Sequence, residues 1–157
     1  MGKEIKILFG QAIRSEQEAR EFYASLAGGI RNLLLAERLF FLASEESKHE
    51  DFLRRLFVQK FKEEPFIPDK TPVPSPRYVP GEKTPISDLL KGAMDAERAS
   101  EEFYLNLAKS LSGEESILLE YLAMMERSHF HILEAEREIA MRFEDYEVVN
   151  PLFHIGA

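Results

Sequence analysis

Leu42-Ala43-Ser44-Glu45-Glu46-Ser47-Lys48-His49 has a counterpart eighty residues downstream, Leu122-Ala123-Met124-Met125-Glu126-Arg127-Ser128-His129. Each copy sets Leu-Ala ahead of a glutamate, with a histidine three residues after it. On a helix, residues three apart lie on one face about a turn from each other, so Glu and His can grip a single ion. Around Glu46 stand Leu39, Leu42, Ala43 and Leu53, and around Glu126 stand Leu119, Leu122, Ala123 and Leu133. Those offsets of three, four and seven make a core stripe. A carboxylate and an imidazole on such a stripe require partners, because an unpaired buried charge is costly.

Outward from these stretches the repeat continues. Ala12, Glu16, Phe22, Tyr23, Leu26 and Ala27 reappear as Ala93, Glu97, Phe103, Tyr104, Leu107 and Ala108. The chain is therefore a duplicated helix pair, each pair reading Glu and then, about thirty residues on, Glu-x-x-His. Two such pairs supply the ligand set of a di-metal carboxylate site inside a four-helix bundle. The expected fold is all-α, a ferritin-like four-helix bundle of two repeated helix pairs, about 3–62 and 84–143, joined by a Pro-rich crossover over 63–83.

In chain order, residues 3–27 read as a helix with Glu16 on its apolar stripe, and Gly28-Gly29 reads as a turn that uses positive φ. A second helix is expected from about Ile30 to Lys62. Seven of the eight prolines lie between residues 63 and 85, which rules out a continuous helix there. That composition makes a stiff, extended connection of the kind a bundle crossover needs; a flexible linker between two hairpins is the alternative. Thr84-Pro85 predicts an N-cap followed by proline at the first helical position. Ser112-Gly113-Glu114-Glu115 matches a capping box for the fourth helix. The tail, 144–157, is apolar enough to dock.

The 157 residues bound one domain, 1–157, with 45% hydrophobic and 31% charged content, ordinary for a globular chain. A formal charge of −8 argues against nucleic acid as a partner. The absence of cysteine excludes disulfides, Cys-based zinc sites and iron–sulfur or rubredoxin-type centres within this sequence. No apolar run is long enough for a membrane span and no signal core opens the chain, so the expected location is cytoplasmic.

The candidate metal ligands are Glu16, Glu46, His49, Glu97, Glu126 and His129. Each alone is weak, since most isolated Glu-x-x-His pairs are surface pairs; their repetition on apolar stripes makes the case against a metal-free structural bundle. Tyr23 and Tyr104, seven residues past their glutamates, read either as core aromatics or as phenols donating to a ligand carboxylate one or two turns away. His131 and His154 lack repeat partners and are expected at the surface. Glu18, Glu21, Glu45, Glu50, Asp51, Glu101 and Glu102 read as solvated faces, with Glu45 a spare acid that could rotate inward. Carboxylate oxygens with one imidazole per ion suit two iron ions, with manganese possible, better than zinc. Two such ions bridged by Glu46 and Glu126 would keep positions open for dioxygen or peroxide.

With these residues in place, the chain resembles the rubrerythrin branch of the ferritin-like di-iron carboxylate family, without a rubredoxin domain. The resemblance rests on Glu16-x-x-Ala19-x-x-Phe22-Tyr23, Glu46-x-x-His49, Glu97-x-x-Ser100-x-x-Phe103-Tyr104 and Glu126-x-x-His129, and covers about 1–62 and 84–143. It implies a non-haem di-iron centre, peroxide reduction or ferrous oxidation, an external electron donor and a homodimer. By motif position, Glu16 and Glu97 would be terminal ligands and Glu46 and Glu126 bridging ones. Relatives carry an additional Glu where this chain has Ser100, which implies a near-symmetric centre here. Iron sequestration and a dimanganese catalase-like dismutase are the rival functions for the same ligands.

Overall fold

The computed structural model describes residues 2–143 and contains four helices: α1 Gly2–Gly29, α2 Leu33–Phe61, α3 Ile86–Lys109 and α4 Gly113–Arg142. Apolar residues at helical spacing drive each of them, and two apolar clusters occupy the two ends of the bundle. One gathers Phe22, Leu26, Leu35 and Leu39 with Ile86, Leu90 and Leu133. The other gathers Phe9, Ile13, Leu53 and Phe57 with Tyr104, Leu107, Leu119 and Leu122. The start of α1 thus meets the end of α3, and the start of α2 meets the end of α4. Both cross-pairs run antiparallel. This is the ferritin-like four-helix bundle expected from the repeat, and the polar layer between its two apolar ends lies at mid-helix.

Helix ends follow local chemistry, with three departures from expectation. α1 runs through Gly28 and Gly29, neither of which is left-handed. The helix still ends at this pair, at Gly29, and Asn32, whose side chain accepts from the Leu35 amide at 3.0 Å, opens α2. α3 is capped by Pro85 rather than Thr84: the Pro85 carbonyl accepts from Asp88 and Leu89, and no side chain caps the end. Ser112 does precede α4 but makes no capping bond, because Gly113 enters the helix at φ 62°, unlike a capping-box entry. Its neighbour Ser116 instead donates to the Ala108 carbonyl at 2.9 Å, tying α4 to the end of α3.

The connection between α2 and α3 is not a loose linker. It packs back along α1 as a strap. At its upstream end Lys6 pairs with Glu63, and the Phe66 carbonyl lies so near Gly10 that a Cβ there would stand 2.2 Å from it. Glycine at position 10 is what lets the strap lie this close. Ile67 and Tyr78 pack against the two apolar clusters, and Val73 is buried between them. Prolines suit this path physically. An extended segment without a sheet partner leaves its amides unpaired, and proline has none to leave. The tail expected to dock lies outside the described residues.

Candidate metal centre

Six side chains meet in the polar layer, all of them predicted from the repeat. Glu16, Glu46, Glu97, Glu126, His49 and His129 are each at least 95% buried. They form two overlapping groups, Glu16–Glu46–His49–Glu126 and Glu46–Glu97–Glu126–His129, and in each group one donor atom per residue lies within 4.8 Å of the others. Glu46 and Glu126 belong to both. The arrangement follows directly from the fold. α1 and α3 each contribute one glutamate, α2 and α4 each a Glu-x-x-His, and antiparallel crossing relates the repeats by an approximate twofold rotation.

The two imidazoles show this twofold relation. His49 Nδ1 lies 2.8 Å from Glu126 Oε1, and His129 Nδ1 lies 2.8 Å from Glu46 Oε1. Their rings stack with centroids 5.4 Å apart. Despite these short distances, His49 Nδ1, His129 Nδ1, Glu46 Oε1 and Glu126 Oε1 are all buried without a hydrogen bond, as are Glu16 Oε2 and Glu97 Oε2. Buried polar atoms are normally paired. Six orphaned atoms, all directed at one small volume, have lone pairs that only a cation can satisfy together. The donor set, four carboxylates and two imidazoles, fits a pair of divalent ions of the iron or manganese type.

Both tyrosines donate to this layer, but not within their own helix. Tyr23 Oη donates to Glu97 Oε1 at 2.5 Å, and Tyr104 Oη donates to Glu16 Oε1. A glutamate seven residues back is about 10 Å away along the helix axis, so each phenol reaches across to the other repeat instead. The expectation of a same-helix acceptor is corrected on that ground.

Electrostatics report how crowded the site is. Burial raises the Glu46 and Glu126 pKa values well above the carboxylate range, and neighbouring carboxylates raise them further: Glu126, Glu16 and Glu97 act on Glu46, and Glu97 and Glu16 on Glu126. Burial also pushes Glu97 upward, but its contacts with Glu126, His129 and Tyr23 outweigh that and leave it lowered. Burial disfavours the charged form of His49, yet the adjoining Glu16 carboxylate raises its pKa overall. Burial, then the surrounding glutamates, raise Tyr23 and Tyr104 well above the phenol value. Both remain protonated donors.

Above the glutamates, on the α1–α3 face, a cavity of about 20 Å³ is roofed by Val73–Pro76 of the strap and walled by Ser100. That is room for roughly one water-sized molecule. Ser100 occupies the place of Ala19 in the first repeat and lines this cavity together with Glu126.

Two acids expected at the surface are not there. Glu50 is buried and held by Gln17 at 3.0 Å, Arg20 at 2.8 Å and Arg54 at 2.9 Å. Burial raises its pKa, but these donors more than reverse that. In the second repeat the corresponding residues are Phe130 and Arg98, stacked as a cation–π pair at 4.5 Å. Glu45 is also largely covered, its side chain 13% exposed. His131 is exposed beside Glu134 as expected, and His154 lies outside the described residues. The burial of Glu50 left no trace in the sequence except Arg54, one helical turn further on.

Comparison with known proteins agrees with the geometry. The chain is similar to a solved structure, the hypothetical protein Pfu-1136390-001 from Pyrococcus furiosus, at 40% identity, over 88% of this chain and 90% of that one, with a TM-score of 0.81. No curated protein matches. The rubrerythrin family pattern matches residues 8–137, which takes in all six converging side chains and both tyrosines, and the chain accordingly belongs to the rubrerythrin family.

Proposed function

We propose that the protein is a non-haem di-iron oxidoreductase that reduces peroxide or oxidises ferrous iron. The observation that carries this reading is the set of six orphaned donor atoms directed at one buried volume. Glu16, Glu46 and His49 would hold one ion and Glu97, Glu126 and His129 the other, with Glu46 and Glu126 shared. Bound there, a pair of redox-active ions supplies the two electrons that cleave an O–O bond. The chain's own part is positioning. Tyr23 and Tyr104 fix Glu97 and Glu16 by donating to one oxygen of each, leaving the other oxygen directed inward. The strap and the small cavity beneath it exclude bulk water and admit only small molecules.

With no cysteine in the chain, the electrons must come from a separate donor or from ferrous iron. We further propose that the protein acts as a homodimer. Among the described residues no helix is long and apolar enough to cross a membrane, in keeping with a site served by diffusible partners.

Elemental analysis of protein purified without added metal is expected to give two iron ions per chain. Stopped-flow mixing of the ferrous protein with peroxide is expected to show one fast oxidation followed by a stall until reductant is added. Sustained peroxide consumption without reductant would point to a dimanganese dismutase. Retention of many irons per chain would point to sequestration.

A further inference from the structure

The two histidines share the same surroundings on one side of the ring and differ on the other. All three carboxylates within 4 Å of His49, those of Glu16, Glu46 and Glu126, face its Nδ1. His129 likewise turns Nδ1 toward Glu46 and Glu97, but a third carboxylate, Glu45, stands at its Nε2 with Oε1 4.0 Å away. His129 Nε2 is buried and has no hydrogen-bond partner. Glu45 is clamped from its outer side, since Lys48 donates to Oε2 at 3.2 Å, which leaves Oε1 free for the imidazole. The separation is about 1 Å longer than a hydrogen bond. In the second repeat the matching position is Met125, which offers His49 no carboxylate.

We infer that Glu45 is a positioning residue that accepts a hydrogen bond from His129 Nε2–H and makes the two metal positions unequal. The inference rests on the di-metal reading of the site. A histidine that binds a metal through one nitrogen generally donates its other N–H to a carboxylate or carbonyl, which fixes the tautomer and makes the ring a stronger donor. Here that fixing falls on His129 alone. The position formed by Glu97, Glu126 and His129 would then fill first and bind more tightly. The near-symmetric centre that Ser100 suggests is therefore symmetric in its ligands and asymmetric just behind them.

Two measurements test this, neither of them an activity. In the metal-free protein, ¹⁵N NMR of the histidine rings is expected to show His129 with its proton on Nε2 in the native chain and in E45Q, which keeps an acceptor, and a mixed tautomer in E45M. A His129 ring unchanged between native and E45M protein would overturn the contact. Titration with cobalt(II) alone, followed by its visible absorption, is expected to show two steps in the native protein. E45M should weaken the tighter step by about 10- to 100-fold and bring the two together. Two equal steps in the native protein, unmoved by E45M, would overturn the inequality. If cobalt fails to bind at all, the metal-centre reading falls, while the NMR comparison still decides whether Glu45 fixes His129.

Discussion

Replacing Glu46 by glutamine is expected to make the metal-free protein more stable and the metal-loaded protein less so. Glu46 shares its buried volume with Glu16, Glu97 and Glu126, and the donor atoms of each group lie within 4.8 Å of one another. At an effective dielectric near 20, one pair of unit charges at that distance repels by about 3–4 kcal/mol. The site avoids most of this by keeping protons, which costs about 1.4 kcal/mol for each pH unit above the point where an exposed carboxylate would have lost its own. The sign follows from the raised pKa values of Glu46 and Glu126. The native state holds protons that the unfolded chain releases above the ordinary carboxylate value of 4.5. Stability is therefore full below that value and falls as pH rises toward the native pKa values. Glu97, lowered, acts oppositely but is outnumbered. At about pH 8, E46Q should gain roughly 1–3 kcal/mol over the native apoprotein, a rise in Tm of about 3–9 °C for a chain of this size. At about pH 5 the gain should shrink toward zero. Adding iron(II) should reverse the order, because binding at a hundredfold excess over Kd contributes about 2.7 kcal/mol to the native chain alone. Calorimetry at the two pH values, with and without metal, reads all four quantities. An E46Q apoprotein less stable than native at the higher pH would refute the reasoning and make Glu46 a structural acid.

Gly10→Ala ought to gain helix propensity, yet its Cβ would meet the Phe66 carbonyl, backbone that cannot swing aside. A net loss of about 1–3 kcal/mol is expected in urea unfolding, and a gain would mean that the strap lifts freely. Tyr23→Phe and Tyr104→Phe should each cost the apoprotein about 1–3 kcal/mol by leaving Glu97 or Glu16 without its donor. The two losses should be alike, with two metals still bound on elemental analysis. Glu50→Ala should destabilise by about 1–2 kcal/mol, since Arg20 and Arg54 lose their shared partner but both are more than a third exposed and regain water; an unchanged stability would show that solvent fully replaces the carboxylate.

The six converging donors were legible because a buried stripe at helical spacing cannot tolerate charge without a reason, and the same exception occurs at the same place in both repeats. Helix directions in each hairpin followed from short connections. What periodicity could not supply was anything set by which helix faces which. Tyr23 and Tyr104 bond across the bundle, so their partners depended on antiparallel pairing of α1 with α3, and helical spacing knows only neighbours on its own strand of chain. Glu50 reads as one more acid on a polar face until α1 brings Gln17 and Arg20 against it. The helix starts at Pro85 and Ser112 departed from their motifs because backbone entry angle, fixed by the strap and by Gly113, overrode side-chain preference.

The crossed tyrosine bonds bear on how such a chain can have arisen. Neither hairpin is self-sufficient: the first carries Glu16, Glu46, His49 and a phenol whose acceptor lies in the second, and the second is its mirror. Two identical copies of one hairpin, placed about a twofold axis, would complete the same constellation with each phenol's acceptor and each shared glutamate supplied in trans. The present sequence is what remains when such a pair is fused through a strap and each copy is then free to diverge, Glu45 against Met125, Ala19 against Ser100, Gln17 and Glu50 against Arg98 and Phe130. Severed within residues 71–77, the two halves should still find each other, because what joins them is the shared interior and not the peptide between.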